Sequence, residues 1–325
     1  MWSVGRTLLV LFRWGVFLLA CAFLYAQLSA PKGTAALDAL RTIPRPLTWW
    51  AQLAGIVALM LLNWGIESHK WRWLMRPVEL IGRRQAFLAT VAGTSVSLIT
   101  PNRTGEFVGR VLFLAPENRV AGAFATALGG IAQFVVTLVA GGTSLALMHL
   151  AGFALPWPMG WSSTALVSLT ALVTGGALVL YFQPGILRQL LLSVPFLRRM
   201  ERTSVVLNGY VRRELMHVLA LSALRYLVFG LQFVWALGLF ESGVSMGEAI
   251  LAVPVIYLIA TVVPTFLLTE LGVRGSASVG LLMPLGAAAA PVLLATFTVW
   301  AINLVLPALA GSVILLFARI RTRRP

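Results

Sequence analysis

Apolar residues in this chain gather in blocks, most of them near the roughly 20 residues a helix needs to cross a bilayer. The blocks fall at about 8–28, 48–66, 86–99, 120–148, 162–182, 219–240, 249–268 and 291–318, with shorter apolar pieces at about 105–116 and 275–287. Basic residues collect between them. Lys70, Arg72, Arg76, Arg83 and Arg84 occupy 67–84; Arg188, Arg198, Arg199, Arg202, Arg212 and Arg213 occupy 183–217; Arg319, Arg321, Arg323 and Arg324 close the chain. An excess of Lys and Arg marks cytoplasmic segments, which places these three inside together with both termini. Segments 149–161 and 241–248 contain neither residue and face outward.

Eight simple crossings do not satisfy these sides. Residues 84 and 119 are both inside, so 86–116 must enter and return; 241–248 and the loop near 288 are both outside, so 249–287 must do the same. The pattern predicts an all-α polytopic membrane protein built as an inverted-topology repeat, with about six full spans and two re-entrant, broken helical hairpins. Residues 1–150 form the first membrane repeat, with its hairpin at about 86–117. Residues 151–325 form the second, with its hairpin at about 249–287, and no soluble domain is expected.

Composition agrees with this reading. Apolar residues make up 59% of the chain and charged residues 11%, and the mean hydropathy is +0.90, all far from the average of soluble domains. The net charge of +15 lies in the segments between spans, as expected for contact with anionic headgroups and not for a nucleic-acid partner. Cys21 is the only cysteine and the three histidines, His69, His149 and His217, are scattered. No metal or other cofactor is expected. The run at 18–21 reads as part of a retained signal-anchor helix, because the apolar AFLYA follows it.

Within this apolar background one charged pattern occurs twice. Residues 100–110 read TPNRTGEFVGR and residues 263–274 read VPTFLLTELGVR. Each has a proline, then a glutamate, then an arginine four residues later: Pro101, Glu106 and Arg110, and Pro264, Glu270 and Arg274. Proline removes a backbone donor and disfavours helix in the residue before it, which suits a hairpin tip. Such a break is tolerated at membrane depth only where protein buries it or a cavity solvates it. Glu and Arg at this spacing share a helix face, so each pair reads either as a structural ion pair or as a site with an arginine for a lipid phosphate. Arg103 gives the first copy a second arginine, and Asn102 adds a donor. Gly105, Gly109, Gly272 and Gly275 suit close backbone approach.

Other polar positions carry less. Asn63, Gln133, Gln232 and Asn303 read as hydrogen-bonders between helices. Arg225 reads as snorkelling to the headgroups. Ala121, Ala125 and Gly129 read as a packing stripe. Segment 64–76, with Trp64, Trp71 and Trp73 among basic residues, reads as a headgroup boundary, and 186–213 as an amphipathic surface segment.

The run LITPNRTGEFVGR, the stretch from Asn63 to Lys70 and Trp71, and the late proline followed by Gly-Val-Arg together resemble the transmembrane region of the lysylphosphatidylglycerol synthase family, also described as flippase-like. The late block departs from the Pro-Gly-Gly that many relatives carry, since this chain has PTFLLTELGVRG. The resemblance implies the lipid-translocating part without a synthase domain, and so a transporter and not an enzyme.

The reading is an integral protein of the bacterial inner membrane that moves a phospholipid or another anionic or aminoacylated lipid, or a polyprenyl-linked one, between leaflets. The residues expected to hold it are Asn102, Arg103, Glu106, Arg110, Glu270 and Arg274. Two other readings stand beside it. One is an intramembrane lipid-headgroup transferase; the other is a non-transporting scaffold for a separate biosynthetic enzyme of lipid or envelope synthesis.

Overall fold

The computed structural model describes residues 44–97, 104–153, 162–263 and 267–318, together with residue 100 and isolated positions before 44. The regular structure of the described residues is helical, and the chain is an all-α polytopic membrane protein. Helix α1 spans Leu47–Leu74, α2 Arg83–Ser97, α3 Gly105–Val111, α4 Arg119–Leu150 and α5 Ser163–Phe182. Short helical turns beginning with α6, Pro184–Leu192, lead to α7, Arg212–Leu239. Then come α8, Met246–Val262, α9, Leu267–Leu282, and α10, Ala289–Phe317, which passes through a π turn at Ala301–Val305. Among the described residues, five stretches are long and apolar enough to cross a membrane: Leu47–Leu74, Pro116–Leu150, Ser163–Phe182, Arg212–Leu239 and Ala289–Phe317. The span expected at 8–28 lies almost wholly outside the described residues.

The two charged motifs lie where helices break. Helix α2, at 15 residues, and α3, at 7, are each shorter than the bilayer core is thick at 1.5 Å per residue. They pack on one another and return to their starting point: Gln85, near the start of α2, donates to the Phe113 carbonyl at 2.8 Å. Helices α8 and α9 form a second such pair. The Ala288 amide after α9 donates to the Ser242 carbonyl before α8 at 2.9 Å, so this hairpin also ends beside its beginning.

Helices α1 and α7 set the relative direction of the two hairpins. They pack along their length and run antiparallel. Tyr210, just before α7, donates to the carbonyl of Leu74 at the end of α1, and Trp49 at the start of α1 meets Phe240 at the end of α7, ring centroids 6.3 Å apart. One hairpin follows α1 and the other follows α7, so they insert from opposite ends of the bundle. Their packing is reciprocal: α2 lies against the second half of α10, and α8 lies against α4. Glycine permits both crossings. A Cβ on Gly311 would strike the Val91 carbonyl of α2, and one on Gly141 would lie 3.0 Å from the Pro254 carbonyl of α8.

Two large apolar cores, with two smaller clusters beside them, stabilise the described part of the bundle. One gathers Ile56, Met60, Phe233, Val253, Ile256 and Val299; the other gathers Trp71, Leu74, Ala86, Leu128, Leu215 and Val218. On α1 and α7 these sets are separated by buried polar residues, Asn63, Glu67 and Lys70 on one helix and Ser222 on the other.

Helix α1 differs from the predicted 48–66 block. It continues to Leu74, and Lys70 is 1% exposed inside the bundle and not in a loop. Ile56, Met60, Asn63, Glu67, Lys70 and Leu74 form one buried stripe at helical spacing. The helix continues because the charges on that stripe find partners.

Candidate functional site

Glu67 is the hub of the polar layer. Its carboxylate lies 2.8 Å from Lys70 Nζ, 2.8 Å from Arg110 Nη1 and 3.2 Å from Arg225 Nη1. Three cations from α1, α3 and α7 thus converge on one carboxylate, and Arg110 pairs in addition with Glu106. Burying a charge this deeply is tolerable only with such compensation. Lys70 also donates to Ser222 Oγ at 3.3 Å and to the Gly129 carbonyl at 3.4 Å.

Local sequence seats these groups. Arg110 reaches Glu67 because α2 and α3 cross at glycines: a Cβ on Gly109 would lie 2.7 Å from Gly93 Cα, and one on Gly93 would lie 2.9 Å from Arg110 Cγ. Thr100 closes the broken end by accepting the Gly105 amide at 2.6 Å. From Arg225 the network continues. Its Nε donates to Asn63 Oδ1 at 2.9 Å and its Nη1 to Gln133 Oε1 at 3.4 Å. Asn63 donates to Asn303 at 3.3 Å, Asn303 to Gln232 at 2.7 Å, and Gln232 to the Ile56 carbonyl at 2.8 Å. Asn303 lies within the π turn of α10, a local irregularity that frequently marks functional positions.

A cavity of about 190 Å³ opens beside this network. Glu106 of the first motif and Arg274 of the second both line it, as do Arg225, Asn63, Gln133 and Asn303. Trp64, Tyr226, Phe229, Tyr257 and Trp300 supply aromatic wall. Arg274 pairs with Glu270 at 3.1 Å and stands over the rings of Phe229 and Tyr257, 5.8 and 5.9 Å from their centroids. The Tyr226 hydroxyl and the Trp64 indole N–H are buried and make no hydrogen bond among the described residues. Among the described residues, cluster and cavity together set four cations, Lys70, Arg110, Arg225 and Arg274, against three carboxylates, Glu67, Glu106 and Glu270.

Of the residues singled out by sequence, Glu106 and Arg274 meet at the cavity, while Arg110 lies behind it among carboxylates. Glu270 reaches the site through Arg274. Asn102, Arg103, Pro101 and Pro264 lie outside the described residues. Gly272 is not at a close approach, since a Cβ there meets nothing within 4 Å. Arg225 points inward to Glu67 instead of snorkelling, because an acidic partner and two amides satisfy it there. Sequence reasoning missed Glu67 and Lys70 as site residues, reading them with the tryptophans as a headgroup boundary. The signal for them was the apolar stripe from Ile56 to Leu74 running through both.

The fold and site define a polytopic membrane protein with a charged, aromatic-walled cavity between two oppositely inserted helical hairpins. The chain belongs to the family described as lysylphosphatidylglycerol synthase TM region, whose model matches residues 8–311. The family ties it to lipid handling in the membrane. No curated protein and no solved structure matches it.

Proposed function

We propose that this protein carries an anionic phospholipid headgroup between the leaflets of a bacterial inner membrane, with both termini cytoplasmic and no enzymatic step. The observation that supports the reading is the joint lining of one cavity by Arg225 and Arg274, from different helices, within a cluster that gathers four cations and three carboxylates among the described residues. Guanidinium forks match phosphate oxygens. The unpartnered Tyr226 hydroxyl and Trp64 N–H add two donors for the same oxygens. Arg110 takes a structural role, held by two carboxylates. The acyl chains remain in lipid while the headgroup occupies the cavity. The halves 1–150 and 151–325 act as oppositely oriented repeats whose rocking alternates access.

The test is reconstitution. Purified protein in liposomes is assayed for inter-leaflet movement of labelled phosphatidylglycerol, an aminoacylated derivative and a polyprenyl phosphate. Movement of an anionic lipid that collapses in Arg274→Ala and Arg225→Ala variants supports the reading. Failure of the wild-type protein to move any of them, or undiminished movement by both variants, sinks it.

A further inference from the structure

Glu106 is placed unlike the other carboxylates of the cluster. Its side chain is 28% exposed and lines the cavity, whereas Glu67 is sealed at 5%. Its partner Arg110 has a second carboxylate: Nη2 meets Glu106 and Nη1 donates to Glu67 at 2.8 Å. The bond to Glu106 runs through Oε1, and this carboxylate makes no further bond among the described residues. Neutralising Glu106 therefore leaves Arg110 paired with Glu67, while neutralising Glu67 takes the carboxylate from Lys70 and Arg225 and leaves Arg110 with Glu106.

We infer, resting on the lipid-moving reading above, that Glu106 carries a proton with each anionic headgroup. A bare carboxylate in a small cavity opposes a phosphate drawn to Arg225 and Arg274, and protonation removes that opposition. The proton passes from water at the open face of the cavity to the Glu106 carboxylate, giving the neutral acid. It leaves to water on the other side when the headgroup departs. The headgroup and proton together carry no net charge, so their passage does no work against a membrane potential, which otherwise costs about 2.3 kcal/mol per charge per 100 mV.

The titratable and charged described groups that surround Glu106 are compatible with this role. Its own helix presents Arg110. Behind it on α1 stand Glu67 and Lys70; across the cavity are Arg225 and Tyr226 of α7, Tyr257 of α8, and Arg274 with Glu270 of α9. Helices α2, α4 and α10 present uncharged described groups: Thr94, Ser97, Gln133, Thr137, Trp300, Asn303 and Leu304. Glu270 is tied to Arg274 and is not part of the cavity wall.

The experiment uses the reconstituted full chain and labelled phosphatidylglycerol. Inter-leaflet movement is measured with and without an imposed pH difference, and proton entry is followed with a trapped dye. Binding of glycerophosphoglycerol, a phosphodiester that keeps a single negative charge over the range, to purified protein is titrated in parallel between pH 5 and 8. Wild-type protein is expected to move lipid faster along the proton gradient, to admit protons only when lipid moves, and to bind glycerophosphoglycerol more tightly by up to about tenfold per unit fall in pH, the limit for one linked proton. Glu106→Gln is expected to lose the pH dependence of binding, and Glu270→Gln to keep it. Wild-type movement indifferent to the gradient overturns the coupling and leaves the transport reading intact. So does binding by Glu106→Gln that keeps the wild-type pH slope. Absence of lipid movement by wild-type protein overturns both.

Discussion

The guanidinium of Arg225, on α7, lies 3.2 Å from the carboxylate of Glu67, on α1, between the two apolar cores of the bundle. That contact joins the two halves of the chain through charge as well as packing. It also ties the cavity wall, to which Arg225 contributes, to the buried hub that orients Arg110 and Lys70.

Removing the hub should cost more than removing any one spoke. Glu67→Gln strands Lys70 and Arg225 and leaves Arg110 only Glu106, and breaking a buried pair from one side costs on the order of 3–5 kcal/mol. Thermal unfolding in detergent, followed by tryptophan fluorescence, should show a clear fall in midpoint. The double variant Glu67→Gln with Lys70→Met should be more stable than Glu67→Gln alone, because one stranded cation is gone. A double variant no better than the single would contradict the hub.

Arg274 should be sensitive to shape as well as charge. Lysine in its place keeps the charge but lacks the fork, and a charge-assisted hydrogen bond contributes about 1.5–3 kcal/mol. Lipid movement by Arg274→Lys should therefore drop by roughly tenfold or more, with Arg274→Ala lower still. Arg110→Lys should instead lower the unfolding midpoint, since Arg110 is 3% exposed and held between Glu67 and Glu106.

The glycine crossings are a separate weak point. Valine at Gly93 collides with Arg110 and Glu106, and valine at Gly311 collides with the backbone of α2. Overpacking of this kind costs about 1–3 kcal/mol. Gly65, whose added Cβ meets nothing within 4 Å, is the control. Equal midpoints for the Gly311→Val and Gly65→Ala variants would show that the α2–α10 contact is looser than described.

Direction across the membrane can be read with single cysteines in a Cys21→Ser background. Asn208 and Met246 are both exposed, and α7 lies between them in the chain. Asn208→Cys and Met246→Cys should label from opposite sides with an impermeant reagent. Labelling of both from one side would break the proposed orientation of the two repeats.

By itself the sequence determined that this chain lives in a bilayer and which segments are helical, because crossing hydrocarbon imposes length and apolarity that local composition cannot hide. It also singled out Glu106 and Arg274, since charges in apolar surroundings stand out whatever their partners. Only the tertiary structure decided what those charges meet. Glu67 and Lys70 looked like a span boundary because a lone charge ends an apolar block, and only Arg110 and Arg225, brought from distant helices, make their burial tolerable. The same convergence separates two arginines of one motif. Arg110 is enclosed by carboxylates, and Arg274 faces the cavity, a difference set by which helices pack beside each copy and not by the copies themselves.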